Sequence, residues 1–304
     1  LLFKRLSISL CLVACSMALL LVLLIHQKPY AVHLFLKYEY NRSQGVVPRL
    51  DYLSGYAKLA LKPRFFIHHT DKDVLAQEHM FRSDINFYNY AEQMYVIGEL
   101  FIEECYYFTA QKKDPFILDC GGNIGLATLY FKKYLYPQAR IFVFEPDPCN
   151  FSVLKKNIEN NKLTDVTLFN KALSNKKGQA EFCVNRKGST SAHLMFEKKS
   201  STGISTKEEQ KTFVQCVLLS DYIDRPVDLL KLDVEGAEGL VLEDLEKTGK
   251  IKDIKEMLIE FHNGCAKTLG DILHTLDNNN FVYIAKQGQT LMIHATNTKA
   301  IDKA

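Results

Sequence analysis

The 304-residue chain has no C-x-x-C pair among its eight cysteines, which argues against a zinc site. Its formal net charge is only +3, and no basic stripe with interleaved aromatics occurs, so no nucleic-acid partner is expected. Internal repeats and long low-complexity tracts are also missing, which sets aside repeat architectures. What remains is 47% hydrophobic and 24% charged, ordinary for a globular protein with a sizeable core.

Charge is missing altogether from Leu6 to Ile25, LSISLCLVACSMALLLVLLI. Such a run is long enough to cross a bilayer core as a helix. It exceeds the ~7–15 apolar residues of a cleaved signal, and no small-x-small cut site follows it. A single-pass signal-anchor is therefore expected over 6–25, after a short flank at 1–5. The membrane would be one partner, and the C-terminal domain would face the lumen of the Golgi or endoplasmic reticulum. Lys4 and Arg5 before the run and Lys28, Lys37 and Arg42 after it do not choose a side. The six cysteines outside this run suit lumenal disulfides and buried thiols equally. Asn41-Arg42-Ser43 reads as a usable glycosylation acceptor, whereas Asn150-Phe151-Ser152 falls where a ligand pocket is expected.

Residues 26–110 read as a stem followed by a helical, aromatic-rich region whose rings serve core packing. From 111 to 304 strands and helices alternate, which predicts one α/β domain, doubly wound around a mostly parallel sheet. Strands are expected at 116–119, 140–145, 166–170, 228–234, 256–262, 281–285 and 290–294. Helices are expected near 124–135, 149–160, 237–247 and 266–278. The last two strands, joined by a short turn at Lys286-Gln287-Gly288-Gln289, predict an antiparallel hairpin. The polar stretch 197–211 reads as an insertion.

A glycine turn joins the first strand and helix of this domain: Asp119-Cys120-Gly121-Gly122-Asn123-Ile124-Gly125. A P-loop would need Gly-Lys-Ser/Thr, but Leu126 and Ala127 follow Gly125. A dinucleotide fingerprint would need glycine where Cys120 stands, and Asp119 would sit beside a pyrophosphate. An acid there suits a cationic ligand instead. S-adenosylmethionine carries a sulfonium and an ammonium and no phosphate, so Asp119 can face its ammonium directly or through water. Gly121 and Gly122 allow close backbone approach, and Asn123 tolerates positive φ. Glu145 ends the second strand about twenty residues after Gly125, where an acid accepts from ribose hydroxyls. Asp147-Pro148 opens the next helix. Asn170 and Ala172 are expected to border the adenine edge.

FILDCGGNIG, VFEPDPCNFSVLKKNIENN, FNKALSNKKGQAEF and LLKLDVEGAEGLVLEDL, in that order, resemble the FkbM-type methyltransferases. The resemblance covers roughly 114–263. It implies a class I, Rossmann-like enzyme that transfers methyl from S-adenosylmethionine, typically to hydroxyls of carbohydrates or small molecules. It also implies cofactor contacts at Asp119, Gly121, Gly122, Asn123, Gly125, Glu145 and Asn170.

Ligands of open α/β sheets lie beyond the carboxyl ends of the strands. Asp233 and Glu235 stand at one such end, two residues apart, and Glu260 and His262 at the next. Asp233, Glu235 and His262 are thus the candidate catalytic residues, to orient a hydroxyl acceptor or remove its proton. The alternatives are that Glu235 caps the following helix and His262 is a core histidine. A divalent cation on these acids is a lesser alternative, and no metal is expected. Ser189-Thr190-Ser191 could hydrogen-bond an acceptor. The reading is an O-methyltransferase acting on a glycan or small molecule; the alternative is a membrane-tethered module that binds an adenosine ligand without turnover.

Overall fold

The computed structural model describes residues 75–301 apart from 89, 102, 185–192, 195–209, 263–266 and 288–289. The run Leu6–Ile25, the acceptor Asn41, Ser189-Thr190-Ser191 and most of 197–211 lie outside the described residues. Among the described residues no helix is long and apolar enough to cross a membrane. That finding corrects the expectation of a single-pass protein of the Golgi or endoplasmic reticulum.

Contacts divide the chain into two compact units, one reaching Ile85 and including Asn89–Glu104, the other formed by Asn86–Tyr88 and the chain from Cys105. Strands β1 (Ala76–Met80) and β2 (Ser83–Phe87) pair in a two-stranded sheet, and α1 spans Tyr90–Phe101. The stretch expected to be mostly helical therefore begins as a hairpin. Its turn is Phe81-Arg82, both at positive φ (51° and 56°), a conformation no sequence signal marks when glycine or asparagine is absent. Phe81 stacks on Phe101 with ring centroids 4.4 Å apart, so these aromatics do serve packing.

The second unit is built on seven strands: β3 (Phe116–Cys120), β4 (Arg140–Phe144), β5 (Val166–Phe169), β10 (Val227–Leu232), β11 (Ile254–Phe261), β12 (Phe281–Gln287) and β13 (Leu291–Asn297). Between β5 and β10 run β6 (Ala172–Leu173), β7 (Gly178–Val184), β8 (His193–Leu194) and β9 (Gln210–Val217), which form a separate sheet in the order β6-β9-β7-β8. The main sheet runs β12-β13-β11-β10-β3-β4-β5. Its five strands from β11 to β5 are parallel, and β13 is antiparallel to both its neighbours. The mostly parallel sheet and the C-terminal hairpin are thus as expected. The small sheet was not foreseen: β7 and β9 pair antiparallel, but no short turn joins them, so no hairpin signal exists.

Helices α2 (Leu126–Tyr130), α3 (Pro148–Asn160), α4 (Glu238–Lys247) and α5 (Leu269–Asn278) follow β3, β4, β10 and β11. α2 continues as a π-helical turn, Phe131–Leu135. Every residue of β3 and β10 is buried, as in strands covered on both faces. α3 starts on Asp147, whose Oδ1 accepts from the Cys149 amide at 2.7 Å, with Pro148 in the first turn. This helix carries Asn150, only 2% exposed, which closes that sequon to glycosylation.

Strand order reverses between β3 and β10, so both strand ends open on the switch point of the sheet. The glycine turn leaving β3 is locked from three sides. A Cβ on Gly121 would lie 1.6 Å from the Asp233 carbonyl oxygen, on Gly122 2.3 Å from Val143 Cγ1, and on Gly125 2.7 Å from Leu154 Cδ1. Gly122→Ala should therefore destabilise the protein by about 1–3 kcal/mol through overpacking. Adding Val143→Ala should recover part of that loss, so the double variant is more stable than the sum of the two single effects. Urea unfolding of the four proteins checks this, and simple additivity would contradict it.

Candidate active site

In the parallel register of β3 and β10, Asp119 lies directly beside Lys231 and Cys120 beside Leu232. This pairing buries an acid and a base side by side, Asp119 at 0% and Lys231 at 2% exposure. Lys231 Nζ is 3.5 Å from Asp119 Oδ1 and 3.1 Å from Asp233 Oδ2, and it donates to the Gly121 carbonyl at 2.6 Å. Asp119 Oδ1 is within ion-pair distance but makes no hydrogen bond, while Oδ2 accepts from Thr128 Oγ1 at 2.6 Å. The lysine also lies 5.4 Å from the centre of the Tyr106 ring. Burial pulls the Lys231 pKa down, but Asp233 and Asp119 outweigh it and hold the ammonium above its ordinary value. Burial raises Asp119, opposed by Lys231.

At the end of β4, Glu145 Oε2 accepts from the Asn123 amide and Oε1 from the Asp147 amide, both at 2.8 Å. Burial nevertheless pushes its pKa up to about 8, with those two amides pulling it back. Asn123 has φ 47° and Gly125 φ 91°, as the turn requires. Asn170 Nδ2 donates to the carbonyls of Glu145 and Pro146, at 2.8 and 3.0 Å, and so pins this strand end.

The chain after β10 turns sharply at Glu235 (φ 51°) and Gly236 (φ 103°). The fully buried Glu238 accepts from the Val234 and Gly236 amides at 3.3 and 3.0 Å. His262, just past β11, meets the same group: its Nδ1 is 3.0 Å from Glu238 Oε1 and its Nε2 3.4 Å from Glu235 Oε2. Asp233 Oδ1 and Glu260 Oε1 lie 4.0 and 3.8 Å from that Nε2. The Tyr106 hydroxyl donates to Glu260 Oε2 at 2.9 Å and reaches Asp233 Oδ2 at 3.4 Å. Burial lowers the His262 pKa, but the Glu238 contact and the Glu235 and Asp233 charges more than reverse this and raise it to about 10. Burial, then the Asp233 charge, raises Glu235 to about 8.

A cleft joins the two halves of this arrangement. Gly121, Asn123, Glu145, Asp233 and Glu235 line it, with Phe144, Pro146, Ala172 and Leu173 as apolar walls. Several expectations need correction. Asp119 is sealed beneath the turn and does not line the cleft, because its register partner Lys231 holds it there. Gly121 lines the cleft, and the side where its Cβ would stand is filled by the Asp233 carbonyl, so this glycine also serves chain packing. Asn170 spends its amide on backbone carbonyls and does not line the cleft. Asp233 and Glu235 do meet at one mouth, but through the turn after β10, which ends at Leu232. Glu238, not Glu235, satisfies the amides of that turn. The carboxylates around His262 favour its protonated form, which disfavours it as the base. Lys231, Tyr106 and Glu238 were missed; a lysine inside the apolar run LLKLDV was the available signal for the first.

The chain matches the model of the methyltransferase FkbM domain over residues 119–283 and belongs to that family. It is 32% identical over 170 residues to Methyltransferase 1 of Beauveria bassiana, covering 51% of this chain and 68% of that protein. Methyltransferase sdnD of Sordaria araneosa is also 32% identical, over 182 residues, covering 51% of this chain and 70% of its own. Among solved structures, an FkbM methyltransferase of Methylobacillus flagellatus matches with TM-score 0.44 and 14% identity, over 62% of this chain and 45% of that one.

Removing one partner of a buried ion pair strands the other charge. Lys231→Met should thus cost about 3–5 kcal/mol, with Asp119→Asn added to it restoring part of the loss. Chemical unfolding measures both; a Lys231→Met protein as stable as the parent would contradict the central role of the pair.

Proposed function

We propose that the chain moves a methyl group from S-adenosylmethionine to a hydroxyl of a small molecule or glycan. The observation that carries this reading is Glu145, a carboxylate on the cleft wall, 5% exposed and held by two backbone amides. Each of its oxygens keeps a lone pair, which suits the two ribose hydroxyls of an adenosyl ligand. Asn123 Oδ1, a buried acceptor without a hydrogen-bond partner, belongs to a residue lining the same cleft and fits a ligand donor. The apolar walls fit adenine. A dinucleotide fits less well, because Asp233, Glu235 and Glu145 face the cleft against Lys171 as its one lysine among the described lining residues.

Bound there, S-adenosylmethionine supplies an electrophilic methyl carbon, whose bond to sulfur breaks with the electron pair staying on sulfur. Asp233 takes the proton of the acceptor hydroxyl as its oxygen bonds to that carbon, help worth ~10²–10⁴-fold, and Glu235 holds that hydroxyl beside it. His262, held by Glu238, orients Glu235. The rest of the acceleration comes from holding oxygen and methyl in line.

The test is calorimetric titration of the full chain with S-adenosylhomocysteine and with NAD. The free Glu145 carboxyl, raised to about 8, is mostly protonated at pH 7. Ribose hydroxyls donate to the ionised form and lower its pKa, so binding at pH 7 should release about one proton. That release should fade by about pH 9, where the free carboxyl is already ionised. Heats in buffers of different ionisation enthalpy read it directly. Binding of NAD in place of S-adenosylhomocysteine would overturn the reading, and binding with no proton release would remove Glu145 from it.

A further inference from the structure

We propose that Asp233, Glu235 and His262 form a binding site for one divalent first-row metal ion at the mouth of the cleft. One oxygen of each acid and one imidazole nitrogen all lie within 4.8 Å of one another. His262 Nε2 is 3.4 Å from Glu235 Oε2 and 4.0 Å from Asp233 Oδ1. Donors bound at ~2.1 Å to a six-coordinate ion stand ~3 Å apart when adjacent and ~4.2 Å when opposite. The three groups are thus already near ligating positions, although they arrive from two separate strand ends.

Two further features fit an ion. First, the imidazole is oriented for it. Nδ1 is engaged by Glu238, a fully buried carboxylate that two backbone amides fix in turn, and this leaves Nε2 turned to the acids, where an ion displaces the proton that those carboxylates favour. A carboxylate behind the histidine is the arrangement that orients imidazole ligands in metal sites. Second, the charges do not balance. Among the described residues, the ion pairs of Asp119, Asp233, Glu235, Glu238 and Glu260 run to Lys231 and His262, two bases for five acids. Buried carboxylates need paired positive charge, and an ion between Asp233 and Glu235 supplies it where the pairing is thinnest. One nitrogen and two oxygens suit manganese, iron or zinc better than calcium.

Three protein donors leave coordination positions free, and Asp233 and Glu235 both line the cleft. An acceptor hydroxyl on such an ion loses its proton more readily, to a carboxylate oxygen that is not on the ion. That use of the site rests on the methyl-transfer reading; the site itself does not.

The test titrates Mn²⁺ into the chelator-stripped full chain, followed by calorimetry and by the electron paramagnetic resonance of the free ion. The expected result is one saturable site, weakened by about tenfold or more in Glu235→Gln and in Asp233→Asn. Glu256→Gln should bind as the parent does, because that acid pairs instead with His294 at 2.9 Å. Circular dichroism establishes that each variant is folded, and two ligand variants guard against the loss of one. No saturable site in the parent, or a site that both ligand variants leave intact, would overturn the proposal. Titrating S-adenosylhomocysteine into the same samples separates the two readings. S-adenosylhomocysteine bound without Mn²⁺ overturns the ion site alone, whereas Mn²⁺ bound without S-adenosylhomocysteine supports the site and overturns the methyl-donor reading.

Discussion

Lys231 and Asp119 lie side by side in the middle of a sheet, away from water, and the geometry of the cleft follows from that pair. Isolated, either charge would cost several kcal/mol to bury. Together, with the Gly121 carbonyl and Asp233 completing the coordination of the ammonium, they become a fixed point. The lysine reaches from β10 to the turn after β3, so the two halves of the cleft share one buried cation. Any shift in the register of β10 by one residue would turn Lys231 to the other face and dissolve the arrangement. The register is therefore set by charge as well as by apolar packing.

Around that fixed point the cleft is graded in polarity. The β4 side offers apolar walls and one carboxylate held by amides, a surface that recognises shape and hydroxyls. The β10 and β11 side gathers acids around a single imidazole, a surface that handles charge and protons. The turn carrying Glu235 at positive φ separates the two, a conformation uncommon for glutamate and maintained by the Glu238 carboxylate behind it.

Much of the fold could be read from residue order. The parallel strands of the main sheet were visible as apolar runs whose ends carry punctuation such as Pro146 and Gly236, and the antiparallel β12 and β13 by the short glycine turn between them. The two strands of the small sheet that pair over the greatest length were not, because β7 and β9 are far apart in sequence and only half buried. Asp233, Glu235 and Glu145 were found by their position at strand ends, which sequence does encode. Lys231 was overlooked since a charge within an apolar run is usually taken as an interruption. The misassigned role of Asp119 has the same origin: which neighbour a side chain meets depends on pairing register, and a single strand does not contain that information.

The segment that carries the family resemblance, 119–283, is not the segment that can stand alone. β13 begins at Leu291, yet it lies between β11 and β12 in the sheet. Tyr106, before β3, reaches across to Glu260 and lies against Lys231. A protein trimmed to the shared stretch would leave β12, an edge strand, without its neighbour β13 and the acids without their hydroxyl. Kinship and foldability thus have different borders here, and only the wider one encloses a complete site.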